Sequence, residues 1–392
     1  MEHRNTRREF LNASLQTAAA TAVATNVSAQ TPDTPPTTVK GDVEWRNKQP
    51  GMSYRRLGRT GLMISEVVSG GDPIRTDNYQ HLNLALELGL NYLDMAPAYG
   101  DGDCEIAYGK LLGGSSKRNK VFLQTKASGF GELRNQLYKE VFDALPGEKQ
   151  SAVMKRVEEI RRTNLAEKPG YFITYFPGQH NQFAAAYLSS AMRPEYGHHV
   201  EGSQKFRTFL TQSLEGSLKR VGTDHFDLLM CPHGANTLDE LENPHIHETF
   251  LTLKKQGKVR FLGVTSHNDP GGAVNKAAEL GYYDAVQMAY NVINAGYVDQ
   301  AILNAGAKDV GLIGMKTAHA VATHHKALQP VPQWRIDKLN RIIPGDMKPP
   351  LKAYLWVLQN PNIAAVNSNL WDETFVRENL SLAGKKVELQ PA

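Results

Sequence analysis

Short apolar runs and amphipathic stretches alternate along most of this chain. The runs are Val67–Ser69, Tyr92–Asp94, Val121–Thr125, Phe226–Met230, Arg260–Thr265, Ala285–Met288, Gly311–Met315 and Ile363–Asn367. They are short and nearly continuous in apolar residues, the pattern of strands buried on both faces. Helical spacing lies between most of them: Leu82, Leu84, Ala85 and Leu88 before the second strand, Phe209, Leu210, Leu214 and Leu218 before the fourth, and Val274, Ala277, Ala278 and Leu280 before the sixth. Eight strands joined by crossover helices predict an α/β chain folded as a parallel (β/α)8 TIM barrel. A doubly wound sheet is the alternative, but no strand is followed by a Gly-x-Gly-x-x-Gly turn.

Three stretches depart from the alternation. Tyr54–Leu57 and Leu62–Ser65 flank Gly58-Arg59-Thr60-Gly61 and predict an N-terminal β-hairpin. The interval 129–204, after the third strand, is too long for a plain loop. Val153, Val157 and Ile160 give part of it a helical period, and Tyr171, Phe172, Tyr175, Phe176, Phe183, Tyr187 and Tyr196 make it aromatic. An insertion that follows a strand emerges on the C-terminal face of a barrel, where active sites lie, so this one is expected to act as a lid or substrate platform.

The third departure is the N-terminus. Thr6-Arg7-Arg8-Glu9-Phe10-Leu11 resembles a twin-arginine export signature. A mildly apolar Ala/Thr-rich segment follows, and Val27-Ser28-Ala29 offers small residues for cleavage. The expected organisation is a signal peptide over 1–29, a proline-rich linker over 30–50 and the barrel over 51–392. Passage through the twin-arginine translocase would deliver a folded, periplasmic or secreted protein.

Composition narrows the classes. The chain has 392 residues, enough for a barrel of ~250 residues with an insertion and a leader. Hydrophobic content of 41% supports a full core. A formal net charge of +4, without a basic stripe, gives no reason to expect a nucleic-acid partner. No apolar run approaches the ~18 residues of a membrane-spanning helix, so no stable membrane insertion is expected. Cys104 and Cys231 are the only cysteines and form no metal or redox spacing. His319, His324 and His325 stand in a polar loop without acidic or Cys partners, and no metal site is expected.

Polar residues then gather at the strand ends. Asp94 closes the second strand and Tyr99 follows in a loop broken by Pro97. Lys126 follows the third strand, His233 the fourth, and Thr265-Ser266-His267-Asn268 the fifth. Gln287 lies in the sixth, and Lys316 follows the seventh. In a barrel all these positions face one mouth.

On these residues the sequence resembles the aldo-keto reductase family. The resemblance covers roughly residues 54–380, apart from the insertion. It rests on Leu57-Gly58-Arg59-Thr60-Gly61-Leu62, Asn91-Tyr92-Leu93-Asp94 with Ala98-Tyr99-Gly100, and Gly109-Lys110-Leu111-Leu112. Further motifs are Val121 through Lys126, Asp224-His225-Phe226-Asp227-Leu228, and Val286-Gln287 with Tyr290-Asn291. It implies hydride transfer between a nicotinamide and a carbonyl or alcohol, with Asp94, Tyr99, Lys126 and His233 as the catalytic group. His233 stands one residue farther from Asp227-Leu228 than the family spacing, with Pro232 as the extra residue. A buried ammonium at Lys126 is expected to lower the tyrosine pKa toward neutrality.

The resemblance also implies that Thr265, Ser266 and Gln287 hold the nicotinamide carboxamide. Lys316, Arg377 and Asn379 complete the expected cofactor set. Asn369 and Phe375 stand where several family members place basic residues for a 2′-phosphate, and Arg377 is two positions away, so NAD and NADP both remain open. The small-molecule carbonyl or alcohol partner is expected to be a sugar or polyol, because flat rings stack on sugar faces. Two other readings remain: a redox-inactive barrel serving as a binding protein, and an isomerase or epimerase with permanently held NAD.

Overall fold

The computed structural model describes residues 42–113, 115–322 and 330–391. The twin-arginine motif, the predicted cleavage site, His324 and His325 lie outside them. Glu44–Trp45 (β1), within the stretch read as linker, is a short strand. It pairs in parallel with Leu62–Ser65 (β3), which pairs antiparallel with Tyr54–Arg56 (β2). The expected hairpin is therefore two strands of a three-stranded sheet.

Eight parallel strands close the barrel: Val67–Gly70 (β4), Tyr92–Asp94 (β5), Phe122–Lys126 (β6), Phe226–Met230 (β7), Val259–Ser266 (β8), Ala285–Ala289 (β9), Gly311–Met315 (β10) and Ala365–Asn369 (β11). β11 pairs with both β10 and β4, which closes the ring. The expected eighth strand starts two residues too early. Ile363 is still in a turn, its N–H donating to the Asn360 carbonyl, and the pairing begins when the Ala364 N–H reaches Leu312 O at 2.8 Å. At its far end Asn367, Ser368 and Asn369 stay in register with Val68, Ser69 and Gly70 although their β-propensity is poor. Strand pairing overrides propensity there and carries Asn367 and Asn369 to the mouth, while Ser368, buried, accepts from Asn379 Nδ2.

The small sheet plugs the other end. Leu57, Leu62 and Ile64 are fully buried in one cluster with Tyr92, Phe122, Leu228 and Ile313 from the barrel floor. The approach needs glycine on both sides. A Cβ on Gly58, whose φ is 47°, would fall 2.2 Å from the Gly311 nitrogen.

After β6 come three helices that a minimal barrel does not need: Phe130–Asp143, Gly147–Thr163 and Asn181–Val200. The first and second both pack on the third. Helix Lys205–Val221 then makes the ordinary crossover to β7. The aromatic segment joining the second and third helices runs back to the barrel mouth. Tyr171 donates its hydroxyl to Asp269 and accepts from Gly271 N. Gln179 Nε2 donates to Asn268 Oδ1 at 2.7 Å, and Asn291 Nδ2 donates to Tyr175 Oη at 2.9 Å. Residues 171–179 are thus strapped across the loops that follow β8 and β9. Among the described residues, no helix is long and apolar enough to cross a membrane.

Candidate active site

β5 and β6 deliver the first two groups. Asp94 is the last residue of β5 and pairs in register with Gln124, which puts Lys126, the last residue of β6, one pleat above it. Both side chains are 1% exposed. Lys126 Nζ donates to Asp94 Oδ1 and, at 3.0 Å, to the Met95 carbonyl. A buried carboxylate–ammonium pair needs its remaining valences satisfied. Asp94 meets this with three amides: Gln124 Nε2 at 2.5 Å, Gln287 Nε2 at 3.0 Å and Asn367 Nδ2 at 2.6 Å.

Tyr99 is placed by a tight turn, its N–H on the Ala96 carbonyl at 3.0 Å. Its ring lies under Lys126, the ammonium 4.6 Å from the ring centroid. His233 meets the same ring edge-on, with centroids 6.0 Å apart. The extra residue before His233 is absorbed by a loop laid along β8. Thr265 N donates to Pro232 O, Gly234 N to Thr265 Oγ1 at 2.7 Å, and Ala235 N to Thr265 O. His233 therefore reaches Tyr99 despite the altered spacing. Its Nδ1 shares a hydrogen bond with Ser128 Oγ at 2.7 Å, a partner the sequence reading lacks.

Electrostatics set the protonation states. Burial pushes the His233 imidazole well below its ordinary value, with the Lys126 and Lys316 charges adding to the effect, so it is neutral. Burial pushes the Tyr99 phenol well above its ordinary value, and the Asp94 and Asp72 carboxylates reinforce this. The expected lowering by Lys126 is not what the structure shows. The ammonium is engaged by Asp94, and desolvation and two carboxylates act against a phenolate. Tyr99 is an intact acid.

A cavity of about 550 Å³ opens above these groups. Asp94, Tyr99 and Gln287 line its inner end, Lys316 and His319 its flank, and Trp371, Phe375 and Asn379 its outer end. Lys316 has a left-handed backbone (φ 57°), and its Nζ lies 5.7 Å from the Phe176 ring centroid. Asn379 lines the cavity while its Nδ2 donates to Ser368 Oγ. Three of the expected cofactor residues are placed otherwise. The Thr265 hydroxyl is a strut for Gly234, and Ser266 Oγ donates to the Ala235 carbonyl. Neither lines the cavity. Arg377 is exposed, faces Glu373 at 3.9 Å and is also off the cavity. Helix geometry turns it outward.

The groove suits a nicotinamide dinucleotide. Asn367 Oδ1 is a buried acceptor without a partner at its inner end, where an amide N–H₂ would satisfy it. Trp371 and Phe375 offer aromatic faces at its outer end. Lys348, at the rim, is paired with Glu378 at 2.6 Å. His267, placed at the mouth by its position after the fifth strand but given no role, lines the cavity between Phe176 of the strap and the loop that carries His233.

Acid–base groups set at the mouth of a parallel barrel, beside a groove of this chemistry, define the nicotinamide-dependent (β/α)8 oxidoreductase class. Comparison with known proteins makes the class specific: the aldo/keto reductase family model matches residues 69–333, and the chain belongs to that family. Aldo-keto reductase YhdN of Bacillus subtilis is 31% identical over 108 residues, 28% of this chain and 32% of that protein. Aldo-keto reductase AFTS1 of Alternaria alternata is 24% identical over 225 residues, 54% of this chain and 49% of that protein. The matches thus span about a third to a half of the length of these relatives. The holo form of aldo-keto reductase AKR11C1 from Bacillus halodurans shares the fold, with a TM-score of 0.56 at 18% identity over 86% of this chain and 92% of that one.

Proposed function

We propose that this protein is an exported NAD(P)-dependent oxidoreductase that reduces a carbonyl compound to an alcohol. The observation that carries the reading is Tyr99, protonated and lining the cavity, packed against the Lys126 ammonium and the neutral His233, neither of which lines the cavity itself. The nicotinamide supplies the hydride. Tyr99 gives its proton to the carbonyl oxygen as that oxygen gains charge. Lys126, one ring face away, offsets the negative charge left on the phenol. His233 uses Nδ1 on Ser128, which leaves Nε2 to orient the substrate oxygen. Burial and the Asp94 and Asp72 carboxylates keep Tyr99 protonated before the step, as a proton donor requires.

Phe176 and the strap border the substrate end, and a polyhydroxylated carbonyl such as a sugar fits an aromatic edge of this kind. The Thr6–Leu11 motif supports folding and cofactor loading in the cytoplasm before twin-arginine export. Tyr99→Phe removes only the hydroxyl. It should bind NADH or NADPH as the wild type does, by fluorescence titration, and lose at least ~10²–10⁴ of the rate across a panel of aldehydes, ketones and sugars. A Tyr99→Phe variant with near-normal turnover refutes the reading. Export is tested separately by replacing Arg7 and Arg8 with lysine: periplasmic recovery of that variant at wild-type level removes the export assignment.

A further inference from the structure

The interior of a (β/α)8 barrel is ordinarily filled by layers of branched apolar side chains. The layer beneath this site is not. Tyr92, Gln124, Gln287 and Asn367, from four different strands, meet Asp94 there, with Gln124, Tyr92 and Gln287 at most 1% exposed. Burying such groups is costly unless each finds partners, and a fully connected polar network fixes one arrangement.

The connections are specific. Gln124 Nε2 donates to Asp94 Oδ1 and to Gln287 Oε1, both at 2.5 Å. An ionised carboxylate only accepts, so this contact fixes which end of the Gln124 amide faces Asp94. Its other end accepts from Tyr92 Oη at 2.6 Å. Gln287 and Asn367 hold Asp94 Oδ2. Asp94 Oδ1 is thus shared between Lys126 and Gln124 and cannot turn wholly toward the ammonium. Lys126 also bonds the Met95 carbonyl, which leaves its Nζ over the face of Tyr99.

The geometry points to Gln124 as a positioning residue for the reductase reaction. By clamping Asp94, it sets where Lys126 stands relative to the Tyr99 ring. It does not line the cavity; it acts on Asp94 directly and through Gln287, whose own amide holds Asp94 Oδ2. This role rests on the reductase reading above, and it extends the site one layer into the barrel.

Two variants and one structure test it. Gln124→Met keeps the length of the side chain and removes the donor. Its kcat should fall roughly ten- to a hundredfold, the size expected for losing one hydrogen bond to a charged group, while KM for the nicotinamide stays within about twofold. Gln124→Glu keeps an oxygen for Tyr92 but places a second carboxyl beside Asp94, which raises the pKa of the pair. Protonated, the new carboxyl donates to Asp94 as Gln124 does; ionised, it repels it. Its activity should therefore recover as pH falls and vanish as pH rises, over a range where the wild type is flat. A general packing defect would show no such recovery. Wild-type kcat and a flat profile in both variants overturn the proposal. A crystal structure of Gln124→Met decides it independently of turnover: a displaced Asp94 and Lys126 support the role, and unmoved side chains overturn it even if the wild type reduces no carbonyl and the reductase reading itself falls.

Discussion

Lys126 lies over the face of the Tyr99 ring, its ammonium 4.6 Å from the centroid, while the same ammonium is held by Asp94. The cation therefore meets the tyrosine through its π-face. A cation over a ring stabilises by ~0.5–2 kcal/mol, and in the proposed reaction it would also compensate charge that develops on the phenol during proton donation.

Replacing Lys126 with methionine tests that compensation. Three amide donors remain on Asp94, so the variant should fold. Breaking a buried ion pair costs ~3–5 kcal/mol when nothing else binds the charge, and the amides should keep the loss near the lower end. Turnover should drop by at least ~10²-fold. Urea unfolding and steady-state kinetics read the two effects apart. A folded Lys126→Met within tenfold of wild type would remove the ammonium from the mechanism.

Acid sensitivity should come from two half-buried imidazoles. His233 and His267 both sit well below the ordinary value of 6.5, each chiefly through burial; Lys126 and then Lys316 add for His233, and Lys316 and then His233 for His267. Between their folded values and about 6.5 the unfolded chain binds the extra protons, so stability falls as pH falls through that window and is unaffected above it. His267→Asn should flatten the acid slope of unfolding free energy by up to ~1.4 kcal/mol per pH unit. An unchanged slope in denaturant titrations from about pH 5 to pH 7 counts against a neutral His267.

Glu240 behaves in the opposite sense. It accepts from Asn236 N and Thr237 N at 3.1 Å each in the loop after β7, and burial pushes its carboxyl up to about 7. The folded chain holds the proton that the unfolded chain releases near 4.5. Stability from this group is present below pH 4.5 and is lost as pH rises through 7. Glu240→Gln keeps an acceptor oxygen without the charge. It should stabilise the protein by ~2–3 kcal/mol at pH 8 and make little difference at pH 4.5, by denaturant midpoint. A variant destabilised at pH 8 would show that the fold favours the ionised Glu240 and does not raise its pKa.

The strap offers a handle on substrate choice. Tyr171→Phe deletes the hydroxyl that joins the insertion to Asp269 and Gly271. Asp269 keeps Gly272 N at 2.9 Å and remains a helix cap. The expected result is a stability loss of ~1–2 kcal/mol, a raised KM for the carbonyl substrate and an unchanged nicotinamide affinity. Unchanged KM across a substrate panel would reduce the strap to a brace between the insertion and the barrel.

Local pattern was sufficient for much of this architecture. Continuous apolar runs separated by helical periods specify buried parallel strands, because only a sheet covered on both faces can use them. The start of the insertion is marked by Gly129, whose left-handed backbone (φ 95°) opens the first inserted helix. Asp94, Tyr99 and Lys126 stand out as candidates in the sequence because a charged or phenolic group at the end of a buried run has few structural uses.

Tertiary structure decided the rest. Thr265, Ser266 and Arg377 fit a motif by spacing, yet the loop after β7 claims the Thr265 hydroxyl, the Ala235 carbonyl claims Ser266, and the last helix turns Arg377 to solvent. The direction of the Tyr99 shift depends on how deeply the ring is buried and on which carboxylates surround it, quantities no spacing encodes. Gln124, Gln287 and Asn367 are separated by up to 243 residues, and nothing local distinguishes them from polar residues at a strand edge. Closing the ring of strands turns all three inward onto one carboxylate. The sequence by itself determined which polar groups stand at strand ends as candidates for chemistry. Barrel closure decided which of them meet, because hydrogen-bond partners around Asp94 are fixed by strand register across the ring and not by neighbours in the chain.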